Sequence, residues 1–258
     1  MSLLQHFRPE EKGFVEKIME YADHAEKRHQ HKLTNFLDPR EQFIVQSIVG
    51  RRMDITVDFF GGYDHAERKR ALIAPSYANH HVNDFQVALL SLEGSYGNPP
   101  FEHRDVLGSV LGLGLKREKI GDLLIHADSQ QCIVAEEIAD FVSVHLHQVH
   151  RCAVSCDLVS LNRINPGQED WQYKDTTVSS LRLDVILAEL LPLSRSKTVP
   201  MIKAGKIKVN WRVVEQPSMI LDEGDVLSVK GFGRFLFSKI EGRTKKDRLR
   251  VQLGKKSV

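Results

Sequence analysis

Cysteine is scarce: there are three in 258 residues, an odd number, and the nearest pair is Cys152 and Cys156. A framework of disulfides, such as staples small secreted domains, is therefore not expected, and the spacing of that pair matches no zinc knuckle or redox motif. Free thiols in the reducing cytoplasm are the expectation. Long apolar runs are missing too. Nothing approaches the roughly 18 residues that a membrane span needs. Met1 to Glu11 also lacks the basic-then-apolar order of a secretory leader. Neither membrane insertion nor export is expected. No Gly-x-Ser-x-Gly run or Ser–His–Asp pattern points to a hydrolase, and repeats and low-complexity tracts are absent.

Net charge is small as well, only +2, but it is unevenly spread. From Leu181 to Val258 there are 17 Lys and Arg against 8 Asp and Glu, a local charge of +9; the rest of the chain holds 19 against 26 and carries −7. A basic end on an acidic body calls for a polyanion at one end only. The acidic first two-thirds leave room for a protein partner. Composition is otherwise that of a soluble globular chain, at 41% hydrophobic and 27% charged. The length suits one large domain or two to three small ones.

An α+β organisation follows from periodicity, with three domains expected at 1–80, 81–165 and 178–258. In the first, Phe14, Ile18, Ala22 and Ala25 fall at helical spacing within a helix over about 9–29. Asp38-Pro39-Arg40-Glu41 opens a second helix, with Asp38 as cap, Pro39 at the first helical position and Glu41 closing a capping-box pair. Alternation at Ile55, Val57 and Phe59 predicts a strand, and Ala71 to Pro75 another. This segment reads as an N-terminal α/β domain.

The middle segment reads as strand (85–92), helix (105–113), two short strands (122–126, 131–134), helix (135–147) and strand (152–161). That order is the ferredoxin-like arrangement, common among RNA-recognition modules. The base-stacking aromatics of an RNA-recognition motif are missing from its inner strands, Leu123–Ile125 and Ile133–Val134, so that sheet face is not expected to bind RNA. Asn162 to Thr177 is the most loop-like stretch and reads as the crossing into the third domain.

The basic module is the most specific. Leu183, Val185, Ile186, Leu187, Leu190 and Leu191 form an apolar helix stopped by Pro192. Ser194 sits where an N-cap belongs, and a second helix carries Arg195, Lys197 and Lys203 to Gly205, the left-handed exit. Strands follow at Ile207–Val209, Arg212–Val214 and Val226–Val229, and then a hairpin around 241–247. Pro200 is an oddity, because inside a helix it removes one backbone hydrogen bond. Gly231-Phe232-Gly233-Arg234-Phe235 admits two readings, a bend or a loop whose Arg234 reaches a phosphate.

Arg182-Leu183-Asp184, Ser194-Arg195, Ile202-x-x-Gly205, Lys208-Val209-Asn210 and Gly224-Asp225 together resemble the S4 RNA-binding domain. The resemblance covers about residues 181–239. It implies that the second helix and the following strand face RNA phosphates and grooves, which implicates Arg182, Arg195, Lys197, Lys203, Lys206 and Lys208, with Arg234 beyond them. It also implies that Asp184, Ser194, Gly205 and Asn210 hold the loops. Basic groups on one surface neutralise phosphates and release counterions, and Arg binds phosphate oxygens bidentately.

Further motifs resemble one family along the whole chain. They are Asn35-Phe36-Leu37-Asp38-Pro39-Arg40-Glu41, Ala66-Glu67-Arg68-Lys69-Arg70-Ala71, His103 to Gly108, Leu113 to Asp122, and Val209-Asn210-Trp211 with Lys230 to Phe235. All are similar to the bacterial YlmH family, which lies among cell-division genes in Gram-positive bacteria. That resemblance implies structured RNA as partner, namely ribosomal RNA of the large subunit with peptidyl-tRNA, in the rescue of obstructed ribosomes. No enzyme activity, cofactor or metal is expected.

Three rival readings remain. Gly112 and Gly114 with Lys116, Arg117 and Lys119 could cradle a phosphate, but the run fits neither the P-loop nor the dinucleotide fingerprint, and turn glycines are the plainer account. His145, His147 and His150 near Cys152 and Cys156 suggest a metal site, although positions 145 and 147 fall on different helix faces. Leu181 to Asp184 superficially resembles the catalytic-aspartate motif of pseudouridine synthases, which keeps an S4-containing RNA-modifying enzyme as the alternative. Against it, Asp184 opens a short helix and suits the positive end of the helix dipole.

Overall fold

The computed structural model describes residues 7–94, 101–126, 129–166, 171–191 and 193–256. The chain divides into two compact units, Met1–Gly167 and Gln168–Val258. No helix among the described residues is long and apolar enough to cross a membrane.

The first unit holds two sheets. Helix α1 (Lys12–Arg28) turns Val15, Ile18, Ala22 and Ala25 inward, and α2 (Pro39–Val49) does the same with Ile44, Val45, Ile48 and Val49. The start of α2 is the expected capping box: the Glu41 amide donates to Asp38 Oδ1 at 2.9 Å and the Asp38 amide to Glu41 Oε2 at 2.8 Å. Both helices cover an antiparallel sheet in the order β1 (Lys32–Leu37), β3 (Lys69–Pro75), β2 (Ile55–Phe60). Strand β1 carries little sequence signal, since Lys-Leu-Thr-Asn lacks a clean alternation.

The second sheet runs β5 (Ile120–Ile125), β6 (Gln130–Ala135), β4 (Val87–Gly94), β8 (Cys152–Val159), with a short β7 (Gln148–Val149) at the edge. Every neighbouring pair is antiparallel. With α3 (His103–Gly112) and α4 (Glu136–His145) this is the ferredoxin-like βαββαβ order, and both helices pack on one face over Leu90, Leu92, Cys132 and Val134. The other face, on which RNA-recognition motifs stack bases, is covered. Leu89, Leu124 and Ile133 bury there against Phe36 of β1, with Tyr63, Leu161 and Ile164 around them.

Motifs 66–71 and 113–122 join the two sheets. Asp122 accepts from Tyr63 Oη (3.0 Å) and from the amides of Glu67 (2.7 Å) and Arg68 (3.0 Å). Arg68 donates in turn to the carbonyls of Ile120 and Phe36, at 3.1 and 2.9 Å. Burial raises the Asp122 carboxyl above its ordinary range, and these donors offset only part of that.

The second unit is a six-stranded antiparallel sheet with two helices on one face. Its order is β11 (Arg212–Val213), β10 (Ile207–Val209), β12 (Val226–Val229), β13 (Gly233–Arg243), β14 (Leu249–Lys256), β9 (Trp171–Val178). Helices α5 (Leu183–Leu190) and α6 (Arg195–Lys203) bury Leu183, Ile186, Leu187 and Ile202 against Ile207, Val209, Leu227, Phe235, Phe237, Val251 and Leu253. Strand β9 corrects the loop reading of 162–177. Its Trp-Gln-Tyr-Lys-Asp-Thr-Thr-Val sequence looks polar because Gln172 to Asp175 of this edge strand are all exposed. Pro192, expected to stop α5, lies outside the described residues.

Candidate nucleic-acid interface

The interface region starts where α5 begins. Its first amides have no partner within the helix, and a neighbouring loop supplies two: Leu183 N–H donates to the Met219 carbonyl at 2.8 Å and Asp184 N–H to that of Pro217 at 3.1 Å. Asp184 is buried with its carboxylate turned to two arginines. Arg182 donates through Nε and Nη2 at 3.0 and 3.2 Å, and Arg195, at the first turn of α6, donates through Nη2. The carboxylate side chain is 2% exposed, the Arg182 side chain 40% and the Arg195 side chain 55%. Burial alone would raise the Asp184 carboxyl, but the two guanidiniums outweigh it and hold it below the ordinary carboxylate range.

The arrangement holds two guanidiniums side by side, anchored from below and open above. A guanidinium has five N–H donors, so each arginine keeps donors for an outside anion. The triad retains one net positive charge, and its arms are fixed in place, which lowers the entropy cost of gripping a phosphate.

Along α6, Lys197 and Lys203 are exposed while Thr198 and Ile202 point into the core. The helix runs through Pro200 without a break. Ser194 occupies the N-cap position, but its hydroxyl pairs with that of Ser196 at 2.7 Å instead of capping an amide. Gly205 exits the helix at φ +65°, as expected, and Lys206 follows, exposed. Arg182, Arg195, Lys197 and Lys203 therefore share the helical side of this unit.

Lys208 and Arg234 do not join them. Ile207 and Val209 face the core, so Lys208 between them faces away from the helices. Lys208 pairs with Ser228, and Ser228 with Arg234, which puts the two basic residues in one row across the sheet's other face. The Arg234 guanidinium lies over the Trp211 ring, 5.9 Å from its centroid. Asn210 holds its loop: Nδ2 donates to Asp225 at 2.7 Å and Oδ1 accepts from the Val226 amide at 2.9 Å.

The other candidate groups have internal uses. Arg117 donates to the Ile120 and Gly121 carbonyls, and Lys119 to Asn35 Oδ1 at 2.8 Å and to Glu137. A β-carbon on Gly121 would sit 2.9 Å from the Phe36 ring, so that glycine serves the junction of the two sheets. Gly114, just after α3, takes the positive φ of a turn glycine, +84°. His145 stacks on Phe141 with ring centroids 4.3 Å apart, and Cys156 is buried among apolar side chains.

Comparison with known proteins then decides the family. Residues 10–78 match the model "YlmH, N-terminal", residues 81–163 "Putative RNA-binding domain in YlmH", and residues 181–227 "S4 domain". The chain is also 43% identical over 249 residues to "Ribosome-associated protein quality control protein P2" of Bacillus subtilis (strain 168), covering 96% of each chain. The protein belongs to the YlmH family. A solved structure, "Cell division protein ylmH from Streptococcus pneumoniae", matches with a TM-score of 0.55 at 22% identity, over 64% of this chain and all of the other. At that identity it speaks for the YlmH fold alone. The S4 match spans α5 to β12; strands β9, β13 and β14, half of the sheet, lie outside it.

Proposed function

We propose that this YlmH-family protein is a non-catalytic, cytoplasmic RNA-binding factor. Its partners in this reading are structured RNA of the large ribosomal subunit and adjacent peptidyl-tRNA, in quality control of obstructed ribosomes. The observation that carries the reading is the Arg182–Asp184–Arg195 triad, which presents two anchored guanidiniums beside the exposed Lys197 and Lys203. The printed role of the Bacillus subtilis relative, ribosome-associated quality control, supplies the setting. Asp184 serves poorly as a catalytic carboxylate, because its side chain is buried and both of its oxygens are engaged by arginines. The acidic first unit is left to position the factor or to meet a protein partner.

The test is co-sedimentation with purified ribosomal subunits over a salt series. Binding to the large subunit that weakens with salt, and weakens further in a Lys197→Ala/Lys203→Ala variant, supports the reading. Equal sedimentation of wild type and variant, both folded, would sink it.

A further inference from the structure

The six-stranded sheet of the second unit has a face that its helices do not cover, and that face carries both tryptophans of the chain. Side chains alternate along a strand, and the register fixes which ones share this side. Val251 and Leu253 of β14 are core residues, so Arg250, Gly254 and Lys256 face the other way. Their partners on β9 are Thr177, Tyr173 and Trp171. Thr176 on β9 confirms the assignment, since its hydroxyl donates to Glu189 of α5 on the helical side, at 2.7 Å.

Gly254 is the centre of this surface. A β-carbon there would lie 3.3 Å from both the Trp171 and Tyr173 rings and 3.4 Å from Leu236 Cβ. The absence of a side chain lets two aromatic rings and an aliphatic chain close over the backbone. The Lys256 ammonium lies over Trp171, 5.9 Å from the centroid, as Arg234 lies over Trp211 at the same distance. Tyr173 remains 52% exposed. Arg250 is exposed on the same side, and the row through Lys208 and Arg234 continues the charge toward the other sheet edge. Among the described carboxylates, Asp175 on this face accepts from Gln252 at 3.1 Å and Glu241 pairs with Lys239 at 3.0 Å.

We propose that this face is a second RNA-binding surface, which takes an unpaired, single-stranded segment by stacking a base on Tyr173 beside Trp171 while Arg250, Lys256 and Arg234 meet its phosphates. Aromatic rings interleaved with cations on an open sheet suit an extended strand, because every base has a π-face and the backbone is uniformly anionic. A folded helix is a poorer fit: its bases are already stacked. The triad and α6 lie on the opposite side of the same sheet, so the unit would grip structured RNA on one side and a single strand on the other. The inference rests on the RNA-binding reading for its class of partner but uses none of the α6 residues.

The experiment titrates the full chain with a short oligouridine and, separately, with an RNA stem-loop. Anisotropy of the labelled RNA and tryptophan fluorescence of the protein are followed together. Expected results are quenching of tryptophan emission by the oligouridine and a roughly ten-fold loss of oligouridine affinity in Tyr173→Ala. Tyr173→Phe should bind as wild type does, and an Arg250→Ala/Lys256→Ala variant should lose affinity and salt dependence together. Stem-loop affinity should hold in all of these and fall in Lys197→Ala/Lys203→Ala, so the two faces fail separately. Circular dichroism and melting confirm that each variant is folded. Unchanged oligouridine binding in folded Tyr173→Ala and Arg250→Ala/Lys256→Ala overturns the proposal. A tryptophan shift that follows protein concentration without RNA also overturns it, and points to a second copy of the chain on this face.

Discussion

Asp184 and Arg195 are eleven residues apart in sequence, yet their side chains meet and tie the start of α5 to the start of α6. The contact makes one arginine both a structural anchor and a candidate phosphate ligand. Variants of Arg195 therefore mix a folding effect with a binding effect, whereas Lys197 and Lys203, which stand exposed, separate the two.

Replacing Arg195 by Ala should destabilise the protein by about 1–2 kcal/mol, less than the roughly 3–5 kcal/mol of a fully buried pair because the guanidinium is half open to solvent. Adding Asp184→Asn should recover part of that loss, since no buried charge is then left short of a partner. Urea unfolding of the two single variants and the double variant measures the coupling. Strict additivity would show that the contact contributes nothing.

The same carboxylate sets an acid limit. Asp184 is held below its ordinary range when folded, so the unfolded chain takes up this proton first as pH falls. The contribution is complete above the unfolded value of about 4 and is lost as pH drops through the folded value. Melting temperature should decline more steeply below about pH 4 in the wild type than in Asp184→Asn. Parallel curves would remove Asp184 from the account.

A salt series should count phosphate contacts. If Lys197, Lys203 and Lys206 each neutralise one phosphate, the triple alanine variant should lower the slope of log affinity against log salt by roughly 2–3, by analogy with duplex binding. Its melting temperature should stay at the wild-type value, because all three side chains are exposed. An unchanged slope would place the RNA elsewhere.

Gly121→Ala should loosen the junction between the two sheets of the first unit. Its added methyl would fall 2.9 Å from Phe36 and 3.0 Å from Ile133, both buried. Overpacking of this kind costs about 1–3 kcal/mol. The check is the thermal transition of the first unit, which should drop by several degrees while α6-dependent stem-loop binding holds.

Thiol reactivity offers a simple check of burial. The Cys156 thiol is pushed up to about 12 by burial, and burial also raises Cys132, which leaves little nucleophilic thiolate at either. Cys152 is partly exposed. A thiol reagent should modify one cysteine in the native protein, and Cys152→Ser should abolish that fast phase.

Local sequence settled whatever short-range chemistry controls. Asp38-Pro39-Arg40-Glu41 spells a capping box because its four residues supply both halves of the hydrogen-bonding, and Gly205 announces a left-handed exit because other residues resist positive φ. The βαββαβ order was legible from alternating periodicities, and the family from motifs spread along the chain. Strands β1 and β9 were not legible: each depends on a partner far away in sequence, and β9, a largely exposed edge strand, shows little apolar signal. The tertiary structure alone decided the roles of the basic residues. Sequence grouped Arg182, Arg195, Lys197, Lys203, Lys206, Lys208 and Arg234 by charge and order. Folding then anchored two arginines on Asp184 and turned Lys208 and Arg234 to the other side of the sheet. Charge is a property of a residue, but the face it serves is set by which strands pair and which side the helices cover.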